Sequence, residues 1–191
     1  MTAKLEFFYD YVSVYSYLAN SQLGRFDNVI YRPMFLGAVM EATGNRPPAT
    51  IKAKGDYLFR DVVRWAEKYN VPYKMNSVFP QMTVNALRVA LVAQKRGTFA
   101  DVHQRLFDAM WAEDRNLSDK DVLRAIVAEA GMPAEEIMAE IAEPSIKDAL
   151  KANTEEALQR GAFGGPTFFV GDEMFFGNDR FEFVEEALAR A

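Results

Sequence analysis

The residues that decide the fold lie at the start of the chain, where residues 4–35 read KLEFFYDYVSVYSYLANSQLGRFDNVIYRPMF. Lys4 to Tyr9 is a short apolar and aromatic run that stops at an acid, as buried strands often do. Ser13 to Gly24 has helical character, and its final glycine is a common helix stop. Val29 to Phe35 indicates a second strand. Together these predict a βαβ unit with parallel strands and a right-handed crossover.

Strand signals return near the other end of the chain. Thr167 to Val170 and Glu173 to Phe176 are β-rich runs separated by the turn pair Gly171-Asp172, which predicts a hairpin. A closing helix is expected from Arg180 to Ala189. The aromatic side chains at strand spacing in both halves are expected in the core, and they are Phe7, Phe8, Phe168, Phe169 and Phe175.

The middle of the chain is mostly helical. Gly37 to Pro48 is predicted to be a loop, and from about Thr50 to Arg160 apolar residues recur at helical spacing. The order βαβ, helices, ββα predicts an α/β protein with a thioredoxin-like fold and a large all-helical domain inserted. Residues 1–37 and 153–191 would form the thioredoxin-like domain, and residues 38–152 the inserted domain. A helical bundle with an unrelated small sheet is the alternative.

Composition excludes several classes of function. The 191 residues include 22 basic and 27 acidic side chains, for a net charge of −5, which argues against a nucleic-acid partner. The chain has no cysteine, so it cannot use a thiol of its own, and its single histidine, His103, makes a metal site or a Ser-His pair a poor prediction. His103 is expected on a solvated helix face. Without a long apolar run or a signal-like start, we expect a cytoplasmic protein with no membrane partner.

Two segments offer groups for chemistry at the predicted sheet. Ser13 follows strand one at the start of a helix, where free N–H groups favour anions and the hydroxyl can donate one hydrogen bond. Its alternative role is that of a simple N-cap. Pro166 directly precedes an apolar strand and is a candidate cis proline that would turn the main chain of Gly165 toward the Ser13 loop. A trans proline that starts the strand is the alternative.

Two further polar groups lie in loops. Asn178 and Asp179 precede the closing helix, where they could hold the charged ends of a ligand or cap the helix. Asn45 lies on a proline-stiffened loop, where an amide is a plausible ligand contact but also a routine turn residue. The helical residues Asp61 and Arg64 are expected on an exposed face.

Four stretches resemble two related groups of enzymes. Residues 7–20 (FFYDYVSVYSYLAN) and 163–180 (FGGPTFFVGDEMFFGNDR) are similar to the terminal motifs of 2-hydroxychromene-2-carboxylate isomerases. These enzymes are relatives of kappa-class glutathione transferases and of DsbA-like oxidoreductases. Residues 35–48 (FLGAVMEATGNRPP) resemble the glutathione loop of the kappa enzymes, and residues 54–66 (KGDYLFRDVVRWA) are closer to the isomerases.

The resemblance implies glutathione as cofactor, a substrate pocket between two domains and a homodimer. It implies that Ser13 replaces the redox cysteine of the oxidoreductases, and that glutathione is held by Asn45, the main chain of Gly165 beside Pro166, Asn178 and Asp179. The sequence departs from the family at two positions, because Val14 stands where a proline is usual and Gly165 where valine or leucine is usual.

The hypothesis is therefore a glutathione-dependent cis-trans isomerase of a small aromatic carboxylate. Ser13 would stabilise a glutathione thiolate that adds to a conjugated double bond and leaves again, giving trans-o-hydroxybenzylidenepyruvate. Arg46, Lys52 and Lys54 are candidate contacts for the substrate carboxylate. The alternatives are a kappa-like transferase or peroxidase acting on small electrophiles and a non-catalytic glutathione-binding module.

Overall fold

The two ends of the chain meet in one mixed β-sheet. The structure is a computed structural model that describes residues 4–191, and its strands are β1 (Leu5–Tyr9), β2 (Val29–Pro33), β3 (Thr167–Val170) and β4 (Glu173–Phe176). The strand order is β2-β1-β3-β4. β1 pairs parallel with β2 and antiparallel with β3, and β3 and β4 form a hairpin. The predicted parallel pair and the predicted hairpin are confirmed.

Helices occupy most of the remaining chain. They are α1 (Val14–Asn20), α2 (Leu36–Thr43), α3 (Lys52–Tyr69), α4 (Val84–Arg96), α5 (Phe99–Trp111), α6 (Lys120–Glu129), α7 (Ala134–Glu140), α8 (Pro144–Gln159) and α9 (Phe181–Arg190). Within residues 4–191, no helix combines the length and the apolar character needed to cross a membrane. The predicted domain boundaries after residues 37 and 152 fall inside α2 and α8, and the division into two domains stays a prediction.

The predicted loop from Gly37 to Pro48 is wrong in its first half, because α2 lies there. Helix α2 begins without a local cap, since the residue before it, Phe35, offers no side-chain hydrogen bond. Its first amide, Leu36 N, is instead bound by the Asp10 carboxylate at 3.0 Å. The helix ends at Gly44, whose φ of 68° suits glycine. A cap supplied from 26 residues away leaves no local sequence signal.

The sheet is covered on both faces. On one face Phe7 stacks on Phe168 with ring centroids 5.0 Å apart, in a core shared with α1, α4 and α5. On the other face Phe8 meets Phe169 edge-on at 5.5 Å, above residues of α2 and α8. These four predicted core aromatics are buried, whereas Phe175 is only half-buried because β4 is an edge strand.

Candidate active site

Ser13 lies at the junction between β1 and α1. Its side chain is buried, and its Oγ accepts a hydrogen bond from Ser16 N at 3.1 Å, which makes it the N-cap of α1. The same Oγ donates to the main-chain oxygen of Gly165 at 3.0 Å. The hydroxyl therefore caps the helix and also reaches a segment 152 residues away.

The antiparallel register of β1 and β3 explains this contact. Phe8 lies opposite Thr167, so the residues that follow β1 and those that precede β3 lie at the same edge of the sheet. The Gly165-Pro166 peptide bond is cis, which is one of the two forms that the sequence left open. The sheet therefore places the main chain of Gly165 beside the Ser13 loop.

Asn178 and Asp179 are brought to the same edge through the β3–β4 hairpin. Gly177 N donates to Pro166 O at 3.1 Å. Gly177 has a φ of 108°, and a Cβ there would lie 2.8 Å from Asp179 Oδ1, so this position requires glycine. The structure thus holds the Asp179 carboxylate folded back over the turn, where it also pairs with Arg180 Nη1 at 2.7 Å.

The side-chain amide of Asn178 is an unusual donor. Asn178 is buried, and its Nδ2 has no hydrogen-bond partner within the described part of the chain. Its main-chain oxygen accepts from the Tyr69 hydroxyl at 2.7 Å, which connects α3 to the hairpin. An unpaired buried N–H costs about 1–3 kcal/mol, so a ligand oxygen at this point would relieve that cost.

The predicted site residues between Asn45 and Lys54 lie on the exposed surface, unlike the buried Ser13. Asn45 Nδ2 donates to Phe163 O at 2.9 Å, which ties this segment to the residues just before Gly165. Arg46, Lys52 and Lys54 are exposed. Lys52 pairs with Asp56 at 2.7 Å, whereas Arg46 and Lys54 form no ion pair among residues 4–191. Within that range, none of the three cations is hydrogen-bonded to Ser13 or Gly165.

A buried acid that sequence reasoning did not select lies beside Ser13. Asp10 accepts hydrogen bonds from Val12 N at 3.1 Å, from Leu36 N at 3.0 Å and from the Thr83 hydroxyl. Burial raises the pKa of Asp10, and these hydrogen bonds oppose the rise. The carboxylate thereby joins the Ser13 loop to the starts of α2 and α4. An acid directly after a run predicted to be a buried strand was the available signal in the sequence.

The prediction that His103 is solvated is wrong. The ring is buried, with Nδ1 2.9 Å from the Tyr11 hydroxyl and Nε2 2.9 Å from Asn20 Oδ1. Burial lowers the pKa of His103 to about 3, so the ring is neutral at ordinary pH. The buried Tyr11 hydroxyl needs a hydrogen-bond acceptor, and the His103 ring can supply one. The polar residues that flank His103 in the sequence gave no indication of this contact. His103 supports the loop that carries Ser13 and does not reach Ser13 itself.

Helix α3 contributes a second acid near the loop. The Tyr15 hydroxyl donates to Asp61 Oδ2 at 2.9 Å, and the Tyr57 hydroxyl lies 3.3 Å from Asp61 Oδ1. Burial and the Asp61 hydrogen bond raise the pKa of Tyr15. Asp61 is therefore half-buried and bound to α1, and the prediction that it lies on an exposed face is wrong.

Comparisons with known proteins agree with this arrangement. The family model of the DSBA-like thioredoxin domain matches residues 4–189. A 2-hydroxychromene-2-carboxylate isomerase from Pseudomonas putida is 32% identical and covers 97% of this chain and 94% of its own. Glutathione S-transferase kappa 1 from Rattus norvegicus is 29% identical and covers 96% and 90%.

A solved structure of a selenomethionine-labelled 2-hydroxychromene-2-carboxylate isomerase superimposes with a TM-score of 0.88 at 26% identity, covering 97% of this chain and 94% of that one. The predicted α/β thioredoxin-like fold is thereby confirmed. Both names denote enzymes, and the chain is an enzyme. It belongs to the DsbA-like thioredoxin family, together with the 2-hydroxychromene-2-carboxylate isomerases and the kappa-class glutathione S-transferases.

Proposed function

We propose that this enzyme is a glutathione-dependent cis-trans isomerase of 2-hydroxychromene-2-carboxylate-type aromatic substrates. The observation that carries the proposal is the contact of 3.0 Å between Ser13 Oγ and the main-chain oxygen of Gly165. It joins a buried hydroxyl that could support a sulfur anion to a main-chain segment that could pair with a peptide. Relatives that are named isomerases at about 30% identity over the full chain support the choice of reaction.

The residues present fit glutathione. We propose that Asn45, the main chain of Gly165 beside Pro166, Asn178 and Asp179 hold it. The unpaired Asn178 amide supports this assignment, because a tripeptide offers carboxylate and carbonyl oxygens as acceptors. The Asp179 carboxylate offers a partner for an amino group. A main-chain oxygen and an N–H at Gly165 would pair with an extended peptide as a strand does.

Glutathione, when bound, supplies a thiol nucleophile that the cysteine-free chain lacks. The Ser13 hydroxyl would donate a hydrogen bond to the sulfur and so favour its ionised form. A hydrogen bond to a charged group is worth about 1.5–3 kcal/mol, which corresponds to roughly one to two pKa units. Since a free thiol has a pKa of about 8.5, Ser13 would raise the ionised fraction at pH 7 from about 3 per cent to between roughly a quarter and three quarters.

The substrate carboxylate would meet a cation between the end of α2 and the first turn of α3. Arg46, Lys52 and Lys54 are all exposed there, and Lys52 already pairs with Asp56. Arg46 and Lys54 therefore offer the more available charges of the three. We also propose that the enzyme is cytoplasmic and forms a homodimer. Sedimentation of the purified protein tests the homodimer directly.

A kappa-like transferase or peroxidase that acts on small electrophiles is the second candidate. Its support is the similar identity to kappa transferases over nearly the whole chain. The same Ser13 contact would serve both reactions. Steady-state turnover with a chromene carboxylate separates them, since an isomerase leaves the glutathione concentration unchanged and a transferase consumes it. Glutathione binding without any turnover would indicate a binding module instead.

The test of the proposed function is the Ser13→Ala variant. We expect turnover to fall by about one to three orders of magnitude, the usual cost of one lost oxyanion-type donor. Ser21→Ala is the matched control, because its hydroxyl lies at the other end of α1, where it donates to Leu18 O and accepts from Gln22 Nε2. An unchanged rate in Ser13→Ala would remove Ser13 from the mechanism.

A further inference from the structure

Helix α5 holds the Ser13 loop at two points on one residue. The Tyr11 hydroxyl lies 2.9 Å from His103 Nδ1, and the Tyr11 main-chain oxygen accepts a hydrogen bond from Trp111 Nε1 at 2.8 Å. His103 and Trp111 are both buried, and they lie about 12 Å apart along α5, since each residue of a helix rises about 1.5 Å. Two contacts this far apart fix both the place and the orientation of Tyr11, which precedes Ser13 by two residues.

A chain of hydrogen bonds continues from His103 to the surface of the same helix. His103 Nε2 lies 2.9 Å from Asn20 Oδ1. Asn20 Nδ2 donates to Gln104 Oε1 at 2.9 Å, and Gln104 Nε2 donates to Asp108 Oδ1 at 2.8 Å. Gln104 is exposed and Asp108 is half-buried, so the chain connects the buried Tyr11 hydroxyl to a carboxylate at the surface.

The carboxylate at the outer end sets the direction of this chain. An ionised carboxylate only accepts hydrogen bonds, so Gln104 must present its NH₂ group to Asp108 and its oxygen to Asn20. Asn20 then presents its NH₂ group to Gln104 and its oxygen to His103. Because two acceptors cannot form a hydrogen bond, His103 Nε2 must carry a proton.

The same direction extends to Tyr11. Burial lowers the pKa of His103 to about 3, so the ring is neutral at ordinary pH and carries a single proton. With that proton on Nε2, the other ring nitrogen is an acceptor, and the Tyr11 hydroxyl donates to it. The opposite tautomer would leave Nε2 facing the oxygen of Asn20 without a proton between them.

We propose that His103 is a positioning residue that holds Ser13 where its hydroxyl can reach the sulfur, and that Asp108 selects the tautomer in which it does so. Without the acceptor at Nδ1, Tyr11 is held only by Trp111, and the loop can tilt about that contact. Misplacement of a reacting group by about 1 Å can cost about 10²-fold in rate. This inference rests on the proposed action of Ser13 on glutathione and gives a buried, neutral histidine a role in it.

The first test reads the tautomer in the wild-type protein. His103 is the one histidine in the chain, so nitrogen-15 labelling of histidine gives a single pair of ring signals in NMR. Protonated and unprotonated ring nitrogens have different chemical shifts. We expect a protonated Nε2 and an unprotonated Nδ1 at pH 7. A protonated Nδ1, or a mixture of the two tautomers, would overturn the inference.

The role of Asp108 is tested in the same spectrum. An asparagine at this position can offer either an oxygen or an NH₂ group, so in Asp108→Asn the Gln104 amide can turn over, and Asn20 with it. We expect the His103 Nδ1 signal to move toward the protonated form as the second tautomer is populated. Asp101→Asn is the matched control, because Asp101 is an exposed acid on the same helix and should leave both signals unchanged. Identical spectra of Asp108→Asn and wild type would remove Asp108 from the proposal.

Two variants of similar shape test the positioning itself. His103→Asn keeps an acceptor oxygen close to the place of Nδ1, whereas His103→Leu fills a similar volume without an acceptor. The measurement is the pKa of the glutathione thiol when bound, from the ultraviolet absorbance of the thiolate, because unfolded molecules do not bind and do not contribute. We expect His103→Leu to raise this pKa by about one relative to wild type, since Ser13 loses much of its contact with the sulfur. His103→Asn should stay close to wild type.

Tyr11→Phe gives the same information from the other side of the hydrogen bond. It removes the donor and keeps the ring, so it should raise the pKa of the bound thiol as His103→Leu does. This variant keeps the inference testable if His103→Leu folds poorly.

The outcomes separate the inference from the proposed function. A bound thiol whose pKa is lowered equally in wild type, His103→Leu and Tyr11→Phe contradicts the positioning role and leaves the proposed function standing. An equal rise in His103→Leu and His103→Asn would indicate an effect of packing and contradicts the role as well. Absence of glutathione binding by the wild-type protein contradicts both. A rise in His103→Leu and Tyr11→Phe but not in His103→Asn, together with a protonated Nε2 in wild type, supports both.

Discussion

The junction between β1 and α1 and the segment from Gly44 to Lys54 both carry predicted site residues, but they are built in opposite ways. At the junction, Asp10 and Ser13 are buried and bind groups 26 to 152 residues away. In the segment every residue is exposed, and its hydrogen bonds join near neighbours, except for that from Asn45 to Phe163 O. The junction fixes its geometry before a ligand arrives, whereas the segment supplies charges that a ligand must order.

The strongest test of this contrast is the Asp10→Asn variant. An asparagine keeps one acceptor oxygen but presents an NH₂ group to a backbone N–H that now binds a carboxylate oxygen. We expect the free energy of unfolding to fall by about 2–4 kcal/mol, measured by urea denaturation. Asp27→Asn, at an exposed position, should change it by less than about 0.5 kcal/mol. Equal stability of the two variants would show that Asp10 does not hold the junction together.

The pH dependence of stability tests the same region through His103. Its pKa is about 3 in the folded chain and about 6.5 when unfolded, so the unfolded state binds more protons below pH 6.5. The contribution of neutral His103 is thus complete above pH 6.5 and is lost as the pH falls toward 3. By pH 5 the loss is about 2 kcal/mol.

Proton NMR checks the origin of that loss, because His103 is the one histidine in the chain. Its ring resonance should not titrate between pH 8 and pH 4.5 in the folded protein. A titration midpoint near the free value would mean that the ring is solvated and that the junction is looser than its contacts indicate.

Two glycines with positive φ extend this comparison, because Gly177 lies in the turn after β4, at the same end of the sheet as the junction, and Gly44 begins the exposed segment. At Gly177 a Cβ would lie 2.8 Å from Asp179 Oδ1, whereas at Gly44 nothing lies within 4 Å. Both alanine variants carry the cost of a left-handed backbone, about 1 kcal/mol, and Gly177→Ala adds a displaced carboxylate. We expect Gly177→Ala to be the less stable by about 1 kcal/mol in thermal unfolding and to bind glutathione more weakly. Similar values for the two variants would show that Asp179 moves without cost.

The sequence predicted the parts of this molecule whose signals are local. The two halves of the sheet and the hairpin follow from apolar runs, whereas Pro166 alone left the cis and trans forms open. Helix α2 was missed because its cap comes from Asp10, and His103 was misplaced because its partner Tyr11 lies 92 residues away. The motifs at both ends indicated a common site, but only the register of Phe8 opposite Thr167 explains why Ser13 reaches Gly165.

The exposed segment gives the smallest expected effect, and it tests whether its charges act on the ligand alone. Lys54→Gln removes an exposed cation that forms no ion pair among residues 4–191, so the free energy of unfolding should stay within about 0.5 kcal/mol of wild type. If Lys54 meets the substrate carboxylate, KM should rise about 1.4- to fivefold with kcat unchanged, since exposed ion pairs contribute about 0.2–1 kcal/mol.

Salt distinguishes this charge effect from a change of shape. The Debye length falls from about 10 Å at 0.1 M to about 3 Å at 1 M ionic strength, so the difference in KM between Lys54→Gln and wild type should shrink as salt is added. Lys52→Gln is the control, because Lys52 is already paired with Asp56 at 2.7 Å and should give a smaller change. A lower kcat in Lys54→Gln, or a KM difference that persists at high salt, would place the carboxylate contact in the preformed junction instead of the exposed segment.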